Sequence, residues 1–569
     1  MDIKSTETTP PQYPAKRTNV WLPLALAGSM VVGMLAGAKL KQEPNIKRIK
    51  NTSETSELSE NERFGNGRIE EILRYIDAKY VENVGDEKLT ESAISSLLAD
   101  LDPHSEYIPA DKVQSVNEDL EGEFDGIGVS FVIVDDTVNV ETPIAGTPAE
   151  KAGLMAGDKI LKIGDSVLMG KKLNDDYVTD CLKGKRGTRI SLDILRGEDN
   201  QQRRLSLMRE RVPDRSIEIG TMLDPKTGYV RINRFSQRTF QEFLTTVGNL
   251  VEKYKMKDLV IDLRGNPGGY LEQAVEILSQ IFDEKDKTLV YTKGRESEMY
   301  KQEYKSTGRN HFEIDKVVVL IDEGSASAAE IVAGALQDWD RGVVIGRRSF
   351  GKGLVQEQYS LKNGSALRLT VAKYYTPSGR SIQKMYKNKT RAEYDREEID
   401  RLNSPEMYSS DSIKIEDKHE YRTKAGRIVY GGGGIIPDYF VPKEMIFQNE
   451  FYLKAAPFLN EFAYKLLSQN RKSWRFKDFA DLEARLKISD AQINDFFKYV
   501  ERRGVNRNGQ GDAVRSEVRR QLKARVAQQF FGDQGFFAIS RQSDACIERA
   551  LNILRLNDPL NLQKTAKKQ

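Results

Sequence analysis

VVVLIDEGSASAAEIVAGALQDWDRGVVIGRRSFGKGLVQ, residues 317–356, decides how this chain is read. Val317 to Ile321 is a short β-branched run of the kind that forms a buried strand, and Ala326 to Leu336 has the small and apolar spacing of a helix packed on it. Ser327 therefore falls at a strand-to-helix junction, where the first N–H groups of the helix have no partners inside it and can serve a developing oxyanion. A second strand, Gly342 to Gly346, leads to Gly351-Lys352-Gly353, a lysine with so little bulk beside it that the backbone can bring it against another element. The pattern points to Ser327 as a nucleophile and to Lys352, deprotonated by burial, as its general base. Histidine usage agrees: the chain has only His104, His311 and His419, none is expected in a strand-end turn that carries catalytic groups, and no G-x-S-x-G elbow is present. Ser/Lys pairing is the known variant.

Upstream, Gly228 to Phe235 and Lys257 to Leu263 read as strands separated by a helix from about 239 to 255, an α/β order. Asp262 to Gly269, DLRGNPGG, then turns into a helix over 271–282. Its glycine pair permits backbone that exposes N–H groups, so Gly268 or Gly269, with the amide of Ala328, is the expected oxyanion hole. Asn266 and Arg264 are read as structural hydrogen-bonders. Ser325, two residues before Ser327 on the same turn, is its competitor as nucleophile.

Earlier still, Gly126-Ile127-Gly128-Val129 precedes an apolar strand, followed by TPAEKAGLMAGDKILKIGD over 147–165. This pattern resembles a PDZ domain. The resemblance implies a loop, Asp125, Gly126, Ile127, Gly128 and Val129, whose N–H groups hold a peptide's terminal carboxylate beside a strand edge open to an extended peptide.

GSASAAE followed by FGKGLVQ, together with DLRGNPGG, YYTPSGRSIQ (374–383) and GGGGIIPD (431–438), is similar to the C-terminal processing peptidases, or tail-specific proteases, over roughly residues 64–442. The resemblance implies that Ser327 is the nucleophile, Lys352 the base and Gln356 the residue that orients the lysine. It also implies a crotonase-like ββα core, within a multidomain α/β chain that carries an inserted PDZ domain and a helical C-terminal region. The implied activity is that of a serine endopeptidase acting near the C-termini of proteins or peptides. A non-cleaving, peptide-binding scaffold is the alternative, and the intact Ser/Lys/Gln set argues against it.

The expected domains are a tail and membrane anchor or signal segment (1–40), a linker (41–66), a helical region (67–118), the PDZ domain (119–212), the peptidase core (213–445) and a helical C-terminal region (446–569). Val20 to Ala38 is an uncharged run long enough to cross a bilayer, with Lys16 and Arg17 before it. Its length favours an uncleaved anchor, while Ala36-Gly37-Ala38 has the pattern of a cleavage site. Either case puts the remaining domains in the cell envelope, periplasmic or exported. Partners follow: substrates with free C-termini, the membrane, and a second copy of the chain or an adaptor.

Eighty-eight basic against 85 acidic residues, a net charge of +3, give no electrostatic case for nucleic acid. Three scattered histidines and two distant cysteines, Cys181 and Cys546, build no zinc site, and Leu354 after Gly353 breaks the phosphate-loop pattern. No metal or cofactor is expected. The charged stretch between Met385 and Gly426 reads as an exposed insertion that shields the site. Arg515, Arg519, Arg520, Lys523 and Arg525 read as a solvated basic helix face.

Overall fold

The computed structural model describes residues 67–168, 173–196, 201–295, 301–506 and 508–560. The expected anchor (1–40) and linker (41–66) lie outside the described residues, and among those described no helix is long and apolar enough to cross a membrane. The chain divides into a unit ending at Asp86 and a second from Glu87 onward. The first contributes one described helix, Arg68–Lys79, with Glu70 and Glu71 in its first turn and Lys79 in its last, the charge order that suits the helix dipole.

The second unit is built around a six-stranded sheet ordered Ile217–Met222, Thr227–Ile232, Asp258–Asp262, Val317–Ile321, Gly342–Gly346 and Tyr439–Phe440. The first pair is antiparallel and the rest run parallel. Every residue of the three central strands is buried, as a parallel sheet covered on both faces requires. Helices Thr239–Tyr254, Leu271–Leu278 and Ala328–Asp338 cover one face, with Phe243, Val247, Ile277, Val332 and Leu336 in the shared core. The other face is covered by the end of the C-terminal region. Phe537 stacks on Tyr229 with ring centroids 4.5 Å apart, and Ile547, Ala550 and Ile553 of helix Ala545–Leu554 lie on Val318, Leu320 and Val343.

A five-stranded sheet (Glu106–Ile108, Ala366–Tyr375, Lys285–Gly294 and Glu303–Thr307 in order, with Leu354–Ser360 on Ala366–Tyr375) lies beside the core. The PDZ unit carries its own six-stranded sheet and closes on the two-stranded pair Glu123–Gly126 and Glu210–Pro213. Its first hairpin turns at Asp135 and Asp136, both at positive φ, which is the geometry of a tight two-residue β-turn. That turn sits on the C-terminal helices, where Asp135 meets Arg503 at 3.1 Å and Lys465 at 3.6 Å.

Two expectations need correction. The basic helix face is engaged with the protein: Arg515 and Arg519 reach Asp490, Arg520 pairs with Glu517, Lys523 donates to the Glu483 carbonyl, and Arg525 donates to Gln521 Oε1. The charged insertion is docked as well as charged. Its helix Arg391–Leu402 places Tyr394 and Arg401 in the interior, and Glu406 receives both Arg401 (3.1 Å) and Arg348 (2.8 Å) in a buried triad. Such a triad survives burial because each charge is paired and hydrogen-bonded.

Candidate active site

Ser327 is the N-cap of helix Ala328–Asp338 and has φ 54°, ψ −114°. A non-glycine residue there carries roughly 1–3 kcal/mol of strain, so its surroundings must hold it. The Ser327 N–H donates to Glu330 Oε2 at 2.9 Å, its carbonyl accepts from Ile331 N–H at 3.0 Å, and the same carbonyl accepts the Tyr374 hydroxyl at 3.1 Å.

Glu330 is fully buried and collects more than this one donor. The Lys352 N–H reaches Oε2 at 2.8 Å, and Gly351 N–H and the Ser349 hydroxyl reach Oε1 at 2.7 and 2.5 Å. Burial pushes the Glu330 carboxyl up to about 7, and those donors pull it the other way. Tyr374 makes the complementary link: its hydroxyl also bonds the Lys352 carbonyl at 2.5 Å. One carboxylate and one phenol thus each hold the backbones of Ser327 and Lys352 at once. Close approach permits this arrangement. A Cβ on Gly351 (φ 96°) would come within 2.9 Å of the Gly433 backbone, so glycine lets the lysine loop pack against GGGGIIPD.

Burial, then the nearby Arg368, lowers the Lys352 amine below its ordinary value, and among the described residues no ion pair engages it. Gln356 lies where strand Leu354–Ser360 shifts register against Ala366–Tyr375. Its amide nitrogen donates to the His104 carbonyl at 2.5 Å. Ser325 is fully buried, with its hydroxyl donating to the Leu263 carbonyl at 2.8 Å and accepting from Asp322 N–H at 2.9 Å. That hydroxyl belongs to the turn and is shielded from any substrate.

Gly268 lies directly against the serine turn: a Cβ there would stand 2.7 Å from Ser327 Cβ and 3.0 Å from Ala328 N. Its own N–H donates to Asn266 Oδ1 at 2.8 Å, while Asn266 Nδ2 donates to the Ile232 carbonyl. Among the described residues the amides of Gly269 and Ala328 have no protein acceptor, so they, rather than Gly268, are the free pair. Arg264 pairs with Asp262 and Asp544 and is structural.

In the PDZ loop the carbonyls of Ile127 and Gly128 are taken by Ala149 N–H and Ile144 N–H, whereas their amides have no acceptor among the described residues. Asp125 pairs with Arg186 at 3.2 Å, while Gly126 ends the strand pairing before the loop and Val129 starts the one after it.

The sequence alone assigns no role to Glu330, Tyr374 or Ser349. Ser-x-x-Glu at 327–330 carries the signature of a helix capping box and could have flagged Glu330. His104 is not expected from the sequence in a strand-end turn that carries catalytic groups. It sits instead in the turn before strand Glu106–Ile108, bonded to Gln356.

Comparison with known proteins finds relatives of several segments of the chain. Residues 226–389 match Peptidase family S41, 126–207 a PDZ domain, 26–112 the Activating protease CtpB N-terminal domain, and 451–532 a family of unknown function, DUF8443. The Carboxy-terminal processing protease CtpB of Bacillus subtilis is 30% identical over 489 residues, 82% of this chain and 98% of that protein. The chain belongs to the carboxy-terminal processing proteases. A second member, the Carboxy-terminal-processing protease of Bartonella bacilliformis, is 38% identical over 319 residues, 56% of this chain and 72% of the relative. Among solved structures, a photosystem II D1 C-terminal processing protease is 28% identical, with a TM-score of 0.32, covering 55% of this chain and 89% of that one. As a carboxy-terminal processing protease, the chain is a serine-type peptidase with an S41 core and a PDZ domain.

Proposed function

We propose that this protease cleaves by a Ser/Lys acyl-enzyme route on a crotonase-like core. Lys352 Nζ takes the Ser327 Oγ proton as Oγ attacks the scissile carbonyl. The Gly269 and Ala328 amides receive the oxyanion, and the Lys352 ammonium returns the proton to the leaving amine. Water then attacks the ester carbonyl with Lys352 as base again, releasing the new C-terminus and restoring Ser327. With the Gln356 nitrogen committed to His104, its oxygen is the atom left to accept from the lysine amine and aim its lone pair at Ser327. Ile127 and Gly128, in the loop from Asp125 to Val129, receive the substrate's terminal carboxylate. The segment 20–38 anchors the chain so that the catalytic domains face the periplasm or exterior.

The single observation that carries this reading is the shared bonding of Ser327 and Lys352 to Glu330 and Tyr374. Turnover of fluorescein-labelled casein by Lys352→Arg tests it. Arginine stays protonated, so that variant should be inactive while folding normally. Appreciable turnover would remove Lys352 as base.

A further inference from the structure

The inserted segment reaches the catalytic groups from two sides. On one, Arg401 donates to the Ser349 carbonyl at 2.9 Å and pairs with Glu406, which also fixes Arg348. The Ser349 hydroxyl is one of the donors on Glu330, which holds the Ser327 and Lys352 amides. On the other, Tyr394 is buried against His104. The rings meet edge to face with centroids 5.5 Å apart, and the Tyr394 hydroxyl lies 3.2 Å from His104 Nε2.

His104 cannot turn freely. Asp102 accepts its N–H at 2.8 Å, the Ser105 N–H and hydroxyl at 2.9 and 2.6 Å, and the Thr370 hydroxyl at 3.1 Å. Thr370 is the residue paired across the strands from Gln356, at the point where the register shifts. The His104 carbonyl then takes the Gln356 amide nitrogen. Phe350 closes another side of the imidazole at 6.4 Å between centroids. Lys384, immediately before the insertion, lies 3.9 Å over the Tyr394 ring and donates to its carbonyl at 3.1 Å, which fixes Tyr394 in turn. The His104 ring is neutral near neutral pH, because burial, and then any positive charge on the nearby Lys352 amine, lower it to about 4.

We propose that the insertion 385–426 is a working part of the active site, with Tyr394 a positioning residue that acts through His104 to orient Gln356 toward Lys352. This rests on the Lys352 reading above and adds a second requirement to it. A carboxamide must be held within a fraction of an ångström to present its oxygen to an amine, and Gln356 sits on a strand at an irregular register. A tyrosine from another element, bearing on the turn that holds the amide, supplies the missing constraint.

The test uses the full chain with fluorescein-labelled casein as substrate. Tyr394→Phe keeps the ring and its packing and removes only the hydroxyl, and His104→Gln removes the imidazole. Each should lower kcat by about 10- to 100-fold, the cost of misplacing a reacting group by a fraction of an ångström to an ångström, with KM unchanged, and Tyr394→Phe should also leave the thermal midpoint unchanged. In a Gln356→Ala background, Tyr394→Phe should cost nothing further, because residues acting through one partner are not additive. Wild-type kcat in both single variants would overturn the proposal. So would an undiminished loss in the Gln356→Ala background, which marks a purely structural role. Lys352→Ala separates the two readings: if it stays active the base assignment fails, and if it is dead while Tyr394→Phe is normal only the positioning role fails.

Discussion

Ile127 and Gly128 in the PDZ loop, and Gly269 and Ala328 beside Ser327, all present N–H groups without a protein acceptor among the described residues, yet the two loops are supported in different ways. Behind the PDZ amides stand two backbone bonds and the Thr147 hydroxyl on the Gly128 carbonyl at 3.0 Å. Behind the catalytic amides stand a strained serine, a buried carboxylate with donors from four residues, and a tyrosine bridging two loops. The chemistry of the two proposed ligands accounts for the difference. A substrate's terminal carboxylate carries its full charge before it binds and needs only a shaped rim. An oxyanion exists only near the transition state, so its donors and the groups that create it must be fixed in advance.

Replacing the catalytic support should therefore cost far more than disturbing the PDZ rim. Glu330→Gln keeps the shape of the side chain but turns an NH2 group toward backbone N–H donors, so at least one of them loses its acceptor. Casein turnover should fall by about 10³-fold, within the range for losing a positioned acid–base group, while peptide binding at the PDZ domain stays unchanged. A Glu330→Gln enzyme within threefold of wild type would erase the contrast drawn here.

The next largest effect concerns stability. His104 is held neutral with its ionisation lowered from 6.5 to about 4. Its contribution is complete above pH 6.5. It is lost as pH falls toward 4, because the unfolded chain binds a proton that the folded one refuses. Over that window the loss amounts to about 3 kcal/mol. Denaturant midpoints from pH 7.5 to 4 should thus fall more steeply for wild type than for His104→Gln. Parallel curves would show that the imidazole is not excluded from solvent.

The PDZ rim is probed by Gly128→Ala. Gly128 has φ 75°, and a Cβ would stand 2.5 Å from Thr147, so the loop must shift. Affinity for a peptide with a free apolar C-terminus should drop about tenfold, a change of roughly 1.4 kcal/mol. The amidated twin should bind weakly to both proteins. Equal affinity for free and amidated peptides would show that the loop does not read carboxylates.

The smallest effect is a gain. Ser327→Gly relieves a positive φ and should raise stability by about 1 kcal/mol while abolishing turnover, the expected exchange between strain and activity. An unchanged or lowered thermal midpoint would show that the serine backbone stores no strain.

These contrasts also mark what could be read from the sequence. Val317–Ile321 and the strand-to-helix junction at Ser327 were legible because a β-branched run, a turn and a small-residue helix are local patterns. The PDZ segment was legible for the same reason. His104 was not, since its link to Gln356 spans 252 residues and nothing near it announces a partner. Nor was the insertion's docking: Arg401 and Glu406 sit in a charged run that reads as solvated, and only the folded chain brings Arg348 onto the same carboxylate. The covering of the second sheet face by Phe537 and helix Ala545–Leu554 was hidden likewise. Amphipathic spacing shows that a helix has a buried face but does not name the surface that buries it.

Lys352, its amine lowered by burial, is the proposed base for Ser327, and the most direct measurement is the rate of Ser327 labelling by a fluorophosphonate as a function of pH. The account predicts a rate that rises with pH along one ionisation lying below the ordinary lysine value of 10.5, and that is lost in Lys352→Ala and Ser327→Ala alike. Labelling of Lys352→Ala at the wild-type rate, or a wild-type rate independent of pH, would contradict it.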